Sequence, residues 1–127
     1  MMTRLQLLEK VKARREVIGI TMENLAQVSQ LGLKTLSRFF AGHDVKLSTV
    51  EKITEVLGLD FAGNEVIDLE TLKEQRAEQK AIYIISLVQD TSALEMQGLE
   101  SDDIRYLIEK TKKKFLTGEY QDTLWAS

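Results

Sequence analysis

Leu33, Lys34, Ser37 and Arg38 combine one apolar, one hydroxyl and two cationic side chains within six residues. Leu36 and Phe39 fall three apart between and after them, which is helical spacing for residues 33–40. On such a helix Leu36 and Phe39 share one side, and Leu33, Lys34, Ser37 and Arg38 point away from it. A helix with that outer face can meet base edges in the major groove of double-stranded DNA. Arg38 and Lys34 would donate to bases, and Leu33 would touch a thymine methyl or pack in the preceding turn. Arg15, Thr21, Met22, Thr35, His43 and Lys46 are candidates for phosphate contact. Thr21 and the first backbone N–H groups of the helix after it suit an anion. His43 and Lys46 follow the candidate reading helix in a loop. A lone histidine there has no companions for a metal site.

These side chains need a rigid frame, and the flanking residues supply one. Leu5, Leu8, Val11 and Ile18 recur at near-helical spacing, which predicts a helix over residues 3–18 ended by Gly19. Thr21 is a natural N-cap for a second helix over 22–28. Ser29-Gln30-Leu31-Gly32 makes a tight turn into the third helix, which Ala41-Gly42 stops. Ser48 and Glu51 have the offset of a capping box for a fourth helix. That helix buries Val50, Ile53, Val56 and Leu57 and stops at Gly58. Ala26 is the small residue that two crossing helices require, with Leu25, Ser29, Leu31, Leu36 and Phe39 facing inward.

Arg15, Gly19-Ile20-Thr21, Leu25-Ala26, Thr35-Leu36-Ser37-Arg38, Gly42, and Leu47-Ser48-Thr49-Val50-Glu51 through Leu57-Gly58-Leu59 together carry a resemblance. Over residues 4–60 the chain resembles the Cro and lambda-repressor (XRE-type) helix-turn-helix family. The resemblance implies a four-to-five-helix DNA-binding domain that places one helix in the major groove. Three positions depart from the family pattern. Gln30 stands where a glycine usually takes a left-handed conformation. Gly32 stands where serine or threonine usually caps the reading helix. Phe40 replaces a glutamate that often pairs with the arginine matching Arg15, which would leave Arg15 for a phosphate.

Residues 59–70 change character. Ala62-Gly63-Asn64 reads as a turn, and residues 65–69 as a short strand or an extended linker. The expected organisation is a DNA-binding domain over 1–61, a linker over 62–70, and a helical dimerisation or partner-binding region over 71–127. Thr71 and Glu74 form a capping-box pair opening a long helix that is polar to Lys80. Residues 81–88 are then apolar on nearly every side, with a strand as the alternative for that stretch. Ser92 and Glu95 offer a further capping box. Ser101 caps the last helix, whose stripe is Ile104, Leu107, Ile108 and Phe115. Asp102 and Asp103 at its start and Lys110, Lys112, Lys113 and Lys114 towards its end complement the helix dipole. One helix cannot cover every apolar side of residues 81–88. Ile82, Tyr83, Ile85 and Leu87, with Leu124 and Trp125 from the tail, are therefore the candidate dimer or partner interface.

Other chemistry has little support. Of 127 residues, 43% are hydrophobic and 29% charged, enough to build a core, and proline is absent. Without cysteine there is no disulfide and no thiolate metal site, which fits a reducing cytoplasm. The N-terminus lacks the apolar run of a signal peptide, and no stretch reaches membrane-span length. No phosphate-binding glycine loop, nucleophile motif or metal-ligand cluster occurs, which argues against an enzyme and against a cofactor. Residues 1–46 hold eight Lys or Arg against four acids, and residues 47–127 hold nine against sixteen. A basic front (+4) and an acidic back (−7) suit phosphates at one end and something else at the other. The expectation is an all-α transcriptional regulator, a repressor binding a palindromic operator as a homodimer. One alternative is an antitoxin-type repressor whose C-terminal half silences a toxin. Another is a protein-binding adaptor without DNA affinity.

Overall fold

The computed structural model describes residues 3–88 and 102–126. Among the described residues six α-helices follow in order: α1 (Arg4–Ile18), α2 (Met22–Ser29), α3 (Leu33–Phe40), α4 (Leu47–Val56), α5 (Leu69–Val88) and α6 (Asp102–Leu116), with a 3-10 turn at Gln121–Thr123. Among the described residues there is no strand, only an isolated antiparallel bridge between Leu59 and Glu65. The Ser92–Glu95 capping box and the Ser101 cap lie outside the described residues. The chain forms two compact units, Met1–Leu72 with Trp125–Ser127, and Lys73–Leu124.

In the first unit α3 packs against α2 and α1, and α4 against α2. Val11, Leu25, Leu36, Ile53 and Leu57 are fully buried between them. Local chemistry sets the helix ends. Thr3 closes a capping box with Gln6, and Gly19 ends α1 at φ 80°, a conformation costly for any residue with a Cβ. The buried stripe of α1 is Leu8, Val11, Arg14 and Ile18. Leu5, expected in it, is 63% exposed. The Ser48 capping box does not form, because α4 starts two residues earlier, with Lys46 at the N-cap. The Lys46 carbonyl already accepts from Thr49 and Val50 at 3.0 and 3.3 Å, so the first turn is closed before Ser48 could cap it. Likewise α5 opens at Leu69 rather than after Thr71. Asp68 accepts the Thr71 N–H through its side chain and the Leu72 N–H through its carbonyl.

Residues 62–70 belong to the first unit. Val66 and Ile67 both donate backbone N–H to the Gly58 carbonyl, at 2.9 and 3.1 Å. Gly58 sits at φ 70°, and a Cβ there would lie 3.2 Å from Ile67. The segment is fastened from α1 by Arg14, which is 9% exposed. Its Nε donates to the Leu57 carbonyl at 2.9 Å, Nη1 to the Glu65 carboxylate at 2.5 Å, and Nη2 to the Ile67 carbonyl at 2.6 Å. Asp60 shapes the turn before it by accepting the N–H groups of Ala62 and Asn64. Those bonds, the Asn64 N–H foremost, hold its carboxyl below the usual range.

The second unit is built on α5 and α6. Ala81, Ile82 and Ile85 of α5 meet Ile108 of α6, with Ile104 and Leu107 packed partly buried beside them. Further along α6, Phe115 is buried under Tyr120 and the Lys80 ammonium, 5.2 Å from its ring. Arg76 and Lys80 reach the carbonyls of Leu124 and Thr123. Burial lowers the pKa of both, and the Arg76 charge adds to the effect at Lys80.

Candidate nucleic-acid interface

The interface begins with the turn between α2 and α3. Gln30 adopts the left-handed conformation, φ 58° and ψ 38°, where the related family favours glycine. Its N–H reaches the Ala26 and Gln27 carbonyls, and the Leu31 N–H returns to Ala26 at 2.9 Å. These bonds close α2 and aim α3. Ala26 is 5% exposed and Leu25 fully buried, as a close helix crossing requires. Buried Ser29 satisfies its hydroxyl on the Leu25 carbonyl at 2.5 Å. Gly32 precedes α3 and supplies no side-chain cap.

On α3, Leu36 and Phe39 are buried, and Leu33, Lys34, Ser37 and Arg38 are all exposed. At ~100° per residue these four span an arc of about 140°. The helix thus holds a firm inner side and presents an outer side of two cations, a hydroxyl and Leu33. Thr35 is half-buried at the edge of that face.

The candidate phosphate contacts surround α3 unequally. Thr21 is exposed, and its hydroxyl oxygen accepts the Asn24 N–H at 3.1 Å as the N-cap of α2. Its hydroxyl hydrogen remains available to an anion. Met22 is half-buried beside it. His43 and Lys46 are exposed in the loop after α3, and the His43 N–H is tied to the Arg38 carbonyl at 3.0 Å. Arg15 is engaged within the chain. Its guanidinium lies 5.4 Å from the centre of the Phe40 ring, and Nη1 donates to the Ile20 carbonyl at 3.1 Å. A cation–π contact thus stands where an ion pair is usual, and joins α1 to the end of α3.

Of the interface candidates on α5, Ile82 and Ile85 lie in the second unit's own core, and Tyr83 and Leu87 are exposed at 59% and 63%. Leu124 and Trp125 are buried. Arg14, which anchors the segment after α4, was not singled out from the sequence. The signal was the gap in the apolar stripe between Val11 and Ile18, filled by an arginine instead of an aliphatic residue. Among the described residues no group of His, Asp or Glu is placed to hold a metal ion, and no helix is long and apolar enough to cross a membrane.

Residues 11–64 match the family model for helix-turn-helix domains. No curated protein and no solved structure matches the chain. The N-terminal half therefore carries a helix-turn-helix domain, followed by further helices. Domains of this type are the DNA-binding parts of transcription regulators.

Proposed function

We propose that the chain is a sequence-specific repressor that binds a palindromic operator as a homodimer, with α3 in the major groove of each half-site. The observation that carries this reading is the sidedness of α3. Leu33, Lys34, Ser37 and Arg38 are free of intramolecular burial, while Leu36 and Phe39 lock the helix to the domain. Arg38 and Lys34 read bases, and Leu33 and Ser37 add apolar and hydroxyl contacts beside them. Thr21, Met22, Thr35, His43 and Lys46 fix the register on the phosphates. Arg15 acts from behind, through Phe40 and Ile20, on the placement of α3. A single domain reads too few base pairs for useful specificity. Two related by a dyad read half-sites about 34–36 Å apart.

The test is selection of bound sequences from random duplex DNA, followed by measurement of variants on the selected site. A two-fold symmetric consensus is expected. Arg38→Ala should weaken binding to it by about 5–150-fold, corresponding to 1–3 kcal/mol for a bidentate base contact, with an unchanged melting temperature. Lys34→Ala should act in the same direction. If neither variant loses affinity, α3 is not the reading helix.

A further inference from the structure

A cleft of about 290 Å³ opens on the first unit between α1, the loop joining α3 to α4, and Phe61. Its wall is apolar, made by Leu7, Leu8, Phe39, Leu47, Val50 and Phe61. Leu47 and Phe61 are 77% and 53% exposed, so their apolar surface at the rim is open to a ligand. Arg4, His43 and Asp44 supply the polar part of the lining. An apolar trough with a few polar groups is the usual form of a small-molecule site, and this volume lies at the small end of the range.

We infer that this cleft is a binding site for a small amphipathic carboxylate, an apolar body of about a dozen heavy atoms with one anionic head. The body lies against Leu8, Val50 and Phe61, and the head is received by Arg4 with His43 beside it. Arg4 is ion-paired with Asp44, but both are solvent-exposed, at 55% and 91%. An exposed pair of this kind holds its partners weakly, so a ligand carboxylate can take the place of Asp44. The loop that forms one wall also carries His43 and Lys46. On the reading of these two as phosphate contacts, an occupied cleft changes the affinity for DNA and the site is an effector site.

The assignment can be tested by titrating the full chain with phenylbutyrate, phenylbutanol and phenylbutylamine while following backbone amide shifts. Phenylbutyrate should bind saturably with a Kd on the order of 1 mM. The shifts should be confined to residues 4–8, 39–50 and 61. Arg4→Gln should weaken phenylbutyrate about five-fold and leave phenylbutanol unchanged. Phe61→Ala, at a position 53% exposed, should abolish saturation by both with the amide spectrum otherwise unchanged. No saturable shift, shifts elsewhere, or tighter binding of the amine than of the carboxylate would overturn the assignment. These readouts need no DNA, so they stand or fall separately from the proposed function. Affinity for the selected duplex, measured with and without saturating phenylbutyrate, tests the effector role alone.

Discussion

The two units bury their apolar residues differently. Ile20, Leu25, Leu36, Ile53, Leu57 and Val11, the largest fully buried side chains, all belong to the first unit. In the second unit Ala77 and Ala81 are fully buried, while Ile82, Ile85 and Ile108 retain 6–9% exposure. Tyr83, Leu87, Val88 and Tyr106 there are 59–72% exposed, and the first unit likewise exposes Leu5, Val17, Leu47 and Val66 at 60–77%, so the units differ in how fully their cores close rather than in exposed apolar surface. The first unit closes a core around α3, the helix that on the proposed reading must stay rigid to meet DNA. The second presents aromatic and aliphatic side chains that a two-fold copy could cover, which is how the proposed dimer would divide the work.

The strongest way to break this contrast is to cut into both cores. Ile53→Ala should cost about 2–5 kcal/mol. Ile104→Ala, at a half-buried position of α6, should cost about 1 kcal/mol because less area leaves water there. Urea unfolding followed by Trp125 emission reports the first, since Trp125 is the chain's only tryptophan and groups with the first unit. Far-ultraviolet dichroism reports both. Equal losses would mean that the two units are equally well packed.

Arg14 sharpens the contrast within the first unit. Arg14→Ala strands the carbonyls of Leu57 and Ile67 and should cost about 1–3 kcal/mol. Amide exchange should rise first over residues 57–67, which the guanidinium fastens. Uniform exchange across the unit would show that the segment is held by something else.

Much of the reading domain was legible because its signals are local. Gly19, Thr21 and Gly42 bound the helices within a residue or two of their expected ends, and the spacing of Leu36 and Phe39 placed the outer face of α3. The Arg14 clamp was not legible, because its acceptors lie 43, 51 and 53 residues further along the chain. Charge pairing alone leaves Arg15 free once Phe40 stands in place of an acid. An aromatic face serves a guanidinium as well. Ser48–Glu51 shows the converse: a pattern with the right offset stays unused where a carbonyl two residues earlier has already started the helix.

The smallest effect concerns the turn that aims α3. Among the described residues Gln30 is the one non-glycine at positive φ. Gln30→Gly should therefore raise stability by up to about 1 kcal/mol, offset in part by the greater freedom of glycine in the unfolded chain. Thermal unfolding measures it. A clear loss would show that the Gln30 side chain itself supports the turn.

The proposed dimer would join both units in one function, and sedimentation equilibrium of the full chain tests it most directly. On the order of ten micromolar, the wild-type chain should sediment as a dimer, and Leu87→Glu, changed at an exposed position of α5, as a folded monomer. A wild-type monomer at that concentration would contradict the account and would leave the exposed face of the second unit to a different protein.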